Sequence, residues 1–198
     1  MTHGDYELIA IGASWGGLRA VSTLLAALDA DAGVAVVVAQ HRAAVSPQGL
    51  AELLQERTQL VVQEAEDKDA VEYGHVYLAP PDYHLLVERG GTLALSTDDR
   101  VQYARPSIDV LFESAADAYR EHCIGVVLTG LNEDGAAGLA RIKELGGVAI
   151  VEDPRTAERS EMPTAALAAT NADVVLPLEE IGLFLQGLLA GTKTRTTF

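Results

Sequence analysis

Three short segments carry residue types able to perform acyl transfer. Gly12-Ala13-Ser14-Trp15-Gly16-Gly17 fits the G-x-S-x-G pattern of a nucleophile on a tight turn from strand to helix. The Trp15 N–H would open that helix, whose free N–H groups and partial positive charge suit an oxyanion. The same loop could cradle a phosphate, although it lacks both G-x-G-x-x-G and the Lys of a P-loop. Gln40-His41-Arg42 sets an imidazole at the end of an apolar run. Thr129-Gly130-Leu131-Asn132-Glu133-Asp134-Gly135 sets an acid before a helical pattern. Asp134 either caps that helix or accepts from the His41 ring, fixing its tautomer and stabilising the imidazolium. A nucleophile, a base and an orienting acid are the parts acyl transfer needs. Their order, Ser–His–Asp, differs from the Ser–Asp–His order of α/β-hydrolases, but a triad is defined by geometry.

The elements that must position these residues alternate. Strands are predicted at Leu8–Ile11, Val34–Ala39, Leu60–Gln63, His75–Ala79, Cys123–Leu128, Val148–Val151 and Val174–Leu176. Continuous Val/Ala runs mark strands buried on both faces. His84–Val87 and Thr92–Leu95 flank Gly90-Gly91, a hairpin signal. Helices are predicted at Leu18–Leu28, Gln48–Arg57 (with Ser46-Pro47 as cap and first turn), Ser107–Glu121, Gly135–Leu145 and Leu178–Leu189. Repeated βα units imply an α/β fold: three αβα layers, a doubly wound, mostly parallel sheet, and one antiparallel hairpin. In such sheets sites form at the carboxyl ends of strands, where Ser14, His41 and Asp134 all fall. Residues 1–190 read as one domain and 191–198 as a loose tail.

Composition narrows the function. The 198 residues carry 14 Lys and Arg against 29 Asp and Glu, a formal charge of −15. That balance argues against nucleic acid and against an anionic membrane surface. The apolar runs are too short for membrane insertion, and no signal peptide is visible, so a cytoplasmic location is expected. One Cys excludes an intramolecular disulfide and a multi-Cys zinc site. No His/Asp/Glu set has metal spacing, and no cofactor is expected. Cys123 reads as an inert core residue, Asp82 and His84 as polar groups of a turn, and Glu64–Asp69 as a solvated face.

At these motifs the sequence resembles the chemotaxis protein-glutamate methylesterase (CheB-type) family. Ala13-Ser14-Trp15-Gly16-Gly17 is similar to its A-S-[TA]-G-G loop, Gln40-His41 to its Q-H segment, and Leu128–Ala136 to L-T-G-M-G-x-D-G-A. Ala79-Pro80-Pro81-Asp82, Arg105–Phe112 and Glu152-Asp153-Pro154 leading to Met162-Pro163 also match. The similarity runs over roughly residues 7 to 188. It implies hydrolysis of γ-glutamyl methyl esters, and deamidation of glutamines, on the cytoplasmic signalling helices of methylated chemoreceptors. Ser14 would be the nucleophile, His41 the base and Asp134 the orienting acid, with the N–H groups of Trp15 and Leu131 holding the oxyanion. Arg19, Arg42, Arg100 and Arg105 are candidates for a positive rim that captures substrate.

Trp15 stands where the family has Thr or Ala, Leu131 replaces Met, and Asn132 replaces Gly. Asn is the least costly substitute if that position has positive φ. The first strand begins by about Leu8, so no N-terminal receiver domain is expected: either the chain is constitutively active, or its control resides in another protein such as a separate response regulator or adaptor. The alternatives are a catalytically weak docking module of the same fold, or an esterase or amidase with another substrate.

Overall fold

Val, Ile and Ala fill the strands because the sheet is covered on both sides. The computed structural model describes residues 6–42 and 49–191. In chain order the strands are β1 (Leu8–Ala13), β2 (Ala35–Gln40), β3 (Val61–Glu64), β4 (His75–Leu78), β5 (His84–Glu88), β6 (Thr92–Ser96), β7 (Cys123–Val127), β8 (Val148–Glu152) and β9 (Val174–Leu176). The helices are α1 (Gly17–Ala26), α2 (Leu50–Gln55), α3 (Ile108–Tyr119), α4 (Ala136–Glu144), α5 (Glu161–Ala169) and α6 (Leu178–Leu189). Seven strands form one sheet in the order β3-β4-β2-β1-β7-β8-β9. All its pairings are parallel. β5 and β6 form a separate antiparallel pair.

β1 lies at the centre, and alternate residues feed two cores. Leu8 and Ala10 pack with Ile108, Leu111 and Phe112 of α3 and with Leu85 and Leu93 of the hairpin. Ile9 and Ile11 pack with Val21, Leu24 and Leu25 of α1 and with Ile181 and Leu185 of α6. The result is the expected three-layer architecture. Cys123 is buried, and burial pushes its thiol up to about 12, so it is an inert core residue. His84 is also structural: its Nδ1 accepts the Ser107 N–H and its Nε2 donates to the Asp99 carbonyl.

The structure adds an element and trims two. α5 has no counterpart among the predicted helices, and it contains Pro163, a residue that breaks helices from within. Pro163 lies in the first turn, where helical N–H groups lack partners within the helix. One of those groups, the Met162 N–H, donates to the Gly130 carbonyl at 3.0 Å. α2 is shorter than expected, and its Ser46-Pro47 cap and the tail at 192–198 lie outside the described residues. The helix predicted to run to Glu121 ends at Tyr119, followed by a 3-10 turn over Arg120–His122.

Candidate active site

β2, β1 and β7 are adjacent, and the three chemistry-bearing segments leave their carboxyl ends side by side. Neighbouring strands lie about 4.8 Å apart, so side chains just beyond three adjacent ends can meet. Backbone bonds join the ends. The His41 N–H donates to the Ala13 carbonyl at 3.0 Å, and the Ser14 N–H donates to the Thr129 carbonyl at 3.0 Å.

Ser14 sits on the turn into α1. Gly16 is the N-cap, at φ 78°, a left-handed conformation in which a Cβ would be strained. The Ser14 carbonyl accepts from the Gly17 N–H at 2.9 Å. A trans peptide points its C=O and N–H in opposite directions, so the Trp15 N–H faces away from that helix bond. Among the described residues, neither the Trp15 N–H nor the Leu131 N–H has an acceptor within the chain.

A continuous hydrogen-bond chain runs from the serine to the acid. Ser14 Oγ lies 3.2 Å from His41 Nδ1, and His41 Nε2 lies 2.7 Å from Asp134 Oδ2. An ionised carboxylate only accepts, so the neutral ring carries its proton on Nε2, which leaves the Nδ1 lone pair facing the Ser14 hydroxyl. The Asp134 side chain is fully buried, whereas the imidazole keeps 15% exposure.

Asp134 does not cap α4, the helix that follows it. It caps α3. Its Oδ2 also accepts the Ile108 N–H at 2.8 Å, and its Oδ1 accepts the Ser107 hydroxyl and the Asp109 N–H, both at 2.9 Å. Burial alone would push this carboxyl up. The bonds from His41, Asp109 and Ile108 outweigh burial and hold it below the ordinary Asp range.

Asp109 returns the favour to α4. Its Oδ1 accepts the Gly135 N–H at 2.9 Å and the Gly138 N–H at 2.7 Å. Burial pushes this carboxyl up to about 6; the Asp134 and Glu113 charges add to the rise, and the Gly138 and Gly135 N–H bonds oppose it. An unfolded Asp titrates near ~3.9. Folding therefore takes up a proton at this group between those values, and the Asp109 contribution to stability declines as pH rises from about 4 to about 6. Asp109→Asn keeps an oxygen for Gly135 and Gly138 and removes the titration. Melts from about pH 4 to about pH 7 are expected to lose that part of the decline.

Thr129 ties the Ser14 loop to the segment before α5. Its N–H donates to the buried Glu152 carboxylate at 2.8 Å. Burial pushes that carboxyl upward. The Thr129 hydroxyl accepts the Arg159 N–H at 2.8 Å and lies 3.0 Å from the Trp15 carbonyl. The Arg159 guanidinium sits 5.6 Å from the Trp15 ring centroid, and the indole is 55% exposed. Gly130 admits no side chain. A Cβ there would collide with Met162 Sδ and stand 2.8 Å from Ser14 Cβ. Gly130→Ala is expected to displace Ser14 and lower kcat by about 100-fold. Steady-state assays beside a melting curve would read both the activity and the fold.

The rim differs from the sequence expectation. Arg42 is nearly buried, with its Nη2 on Glu64 Oε1 at 2.7 Å and on the Ala79 carbonyl at 2.8 Å. Arg105 binds Asp82 and the carbonyls of Thr97 and Asp98, and Arg100 also pairs with Asp82. Arg19 has 58% of its side chain exposed and lies 3.9 Å from Glu179, which makes it the freest of the four. It lines an open cleft of about 660 Å³ beside Ser14, together with Gln40, whose Oε1 is buried without a partner among the described residues. Asn132 does not have positive φ; its Oδ1 accepts the Asp134 N–H at 3.3 Å. The sequence reading did not assign Ser107, Asp109, Thr129, Glu152 or Arg159 to the site. A Ser and an Asp at a helix start read as ordinary caps.

Among the described residues no group of three or more His, Cys, Asp or Glu side chains is arranged to hold a metal, and no helix is long and apolar enough to cross a membrane. The fold and the aligned Ser, His and Asp side chains define the class: a three-layer α/β protein with a serine-hydrolase-type site at the centre of its sheet. Residues 9–185 match the family model described as CheB methylesterase, and the chain belongs to that family of carboxylic ester hydrolases.

A putative protein-glutamate methylesterase/protein-glutamine glutaminase of Leptospira interrogans (serovar copenhageni) is 47% identical over 183 residues, 92% of this chain and 95% of that one. Protein-glutamate methylesterase/protein-glutamine glutaminase 1 of Hahella chejuensis is 42% identical over 88% of this chain but only 49% of its own length. The crystal structure of the Thermotoga maritima CheB methylesterase catalytic domain superposes with a TM-score of 0.86 at 34% identity, covering 92% of this chain and 98% of that one.

Proposed function

We propose that this chain hydrolyses γ-glutamyl methyl esters on the cytoplasmic signalling helices of chemoreceptors, with Ser14, His41 and Asp134 as its catalytic residues. The unbroken hydrogen-bond chain from Ser14 through His41 to Asp134 carries the reading. Ser14 Oγ gives its proton to His41 Nδ1 and attacks the ester carbonyl carbon. The N–H groups of Trp15 and Leu131 hold the resulting oxyanion; one such donor contributes about 3–4 kcal/mol to the transition state. Asp134 stabilises the imidazolium. The tetrahedral species collapses, the C–O bond to the methoxy group breaks, and His41 returns the proton so that methanol leaves. Water, deprotonated by His41, then attacks the glutamyl–Ser14 ester; the bond to Ser14 Oγ breaks, His41 returns the proton to that oxygen, and the receptor's glutamate side chain is restored. A glutamine side chain would follow the same path with ammonia as leaving group, which accounts for deamidation.

Methanol release from a methylated receptor cytoplasmic fragment tests this reading. A phosphonate directed at serines should block release and be recovered covalently on the peptide containing Ser14. Absence of release from folded protein, or a label on another residue, would overturn it.

A further inference from the structure

On the His41 side the catalytic pair opens into a second cleft of about 500 Å³, lined by His41, Asn132, Pro106 and a small hairpin at 101–104. Val101 and Ala104 form an isolated antiparallel bridge closed by two backbone bonds, of 3.2 and 2.8 Å. The two residues between them, Gln102 and Tyr103, have φ of 48° and 64°. Positive φ at both central positions is the type I′ arrangement, which ordinarily selects Asn-Gly. Two side chains larger than glycine's hydrogen are held here against that steric preference.

The turn is anchored on both flanks. Gln102 Nε2 donates to Asp109 Oδ2 at 3.3 Å, the carboxyl whose other oxygen holds the turn after Asp134. Arg105 is fixed by Asp82 and two carbonyls. From this rigid base Tyr103 projects with 96% of its surface in solvent. The cations beside it, Arg100 and Arg105, are both held on the one carboxylate of Asp82.

A ring held in a strained turn, fully exposed, at the mouth of the cleft containing His41 is placed for contact with something outside the chain. We infer that Tyr103 is a substrate-capture residue, packing its ring against the receptor helix beside the glutamyl ester that Ser14 attacks. This rests on the proposed function and deepens it by naming a residue that selects the macromolecular substrate. The partner surface is the aliphatic part of a helix next to a neutralised glutamate. A molecule of formal charge −15 has little long-range attraction for acidic helices, so short-range ring contact supplies the grip.

Steady-state kinetics on the methylated receptor fragment tests it. Tyr103→Ala should raise KM by about tenfold with kcat within about twofold. Tyr103→Phe keeps the ring and should hold KM within about threefold of wild type. Tyr103→Gly should show the KM rise of the Ala variant while Tm rises by about 2–4 °C, because glycine relaxes the left-handed φ. An unchanged KM in the Ala and Gly variants of an active enzyme would overturn this inference alone. A fall in kcat together with a fall in Tm would also overturn it, by assigning Tyr103 to support of the fold. Wild-type protein that releases no methanol would remove both this inference and the functional reading beneath it.

Discussion

Ser14→Ala is expected to lower kcat/KM for methanol release by at least about 10⁴-fold while leaving the protein as stable as before. In the proposed mechanism the activity loss follows from removing the atom that attacks the carbonyl. What remains, two oxyanion N–H groups and an imidazole, can polarise the ester but cannot form the acyl intermediate. Stability is spared because the Ser14 side chain contributes one bond, at 3.2 Å to His41, and the N–H and C=O that fix the turn belong to the backbone. A change of one hydroxyl at a partly buried position of this kind stays within about 0.5 kcal/mol. Methanol release and a thermal melt on the same preparation measure both. Residual activity above about 1% of wild type would place the nucleophile elsewhere, and Ser107, whose hydroxyl donates to Asp134, would be examined next.

Asp134→Asn should cost comparable activity and, unlike Ser14→Ala, much stability. An amide presents one acceptor oxygen and one NH2 where the carboxylate presents two oxygens. Four donors now converge on Asp134: His41 Nε2, the Ile108 and Asp109 N–H groups, and the Ser107 hydroxyl. Whichever way the amide turns, two of them face NH2. If the Asn oxygen serves the Ser107 and Asp109 side, the ring no longer has an acceptor for its Nε2 proton and the base loses its orientation; kcat falls by about 10⁴-fold. Buried donors left without acceptors cost about 2–4 kcal/mol here, and Tm falls by about 5–10 °C.

The pH dependence separates this from a general packing defect. The Asp134 pKa is lowered in the folded state, so its contribution is present above the unfolded Asp value and is lost as pH falls through the folded one. The Asn variant should lack that contribution, and its stability deficit should narrow on acidification below about pH 4. A deficit of constant size at every pH would assign the loss to shape alone. Together the two variants separate chemistry from scaffold: one removes the proposed reacting atom, the other a carboxylate to which the proposal gives a catalytic role and which four donors tie into the fold.

That double duty marks where sequence reading reached its limit. Local pattern was enough for the strands and for the rim on which Ser14, His41 and Asp134 lie. A parallel strand buried on both faces needs an unbroken apolar run, as in Val34–Ala39, and a tight exit from a strand needs glycine, as at Gly16 with its φ of 78°. Such constraints act between neighbours in the chain. α5 escaped because Pro163 is judged by its local preference, while its place in the first turn is set by the bond from Met162 to Gly130, 32 residues earlier in the chain. Tyr103 escaped because nothing in Val-Gln-Tyr-Ala announces a type I′ turn. Its conformation is imposed by the bridge at its base and the anchors at Asp109 and Asp82.

The sequence by itself determined the layered α/β fold and which residue types stand at the carboxyl rim, because alternation, apolar runs and turn chemistry are short-range. Only the tertiary structure decided what those residues do to one another. The sequence left Asp134 between capping the next helix and orienting His41; the fold turns it to α3 and to His41 across 93 positions of chain. Arg42, Arg100 and Arg105 carry the right charge for a capture surface, but Glu64 and Asp82 meet them first. A hydrogen bond or ion pair depends on ångströms between side chains far apart in the chain, and those distances are set when the whole core closes.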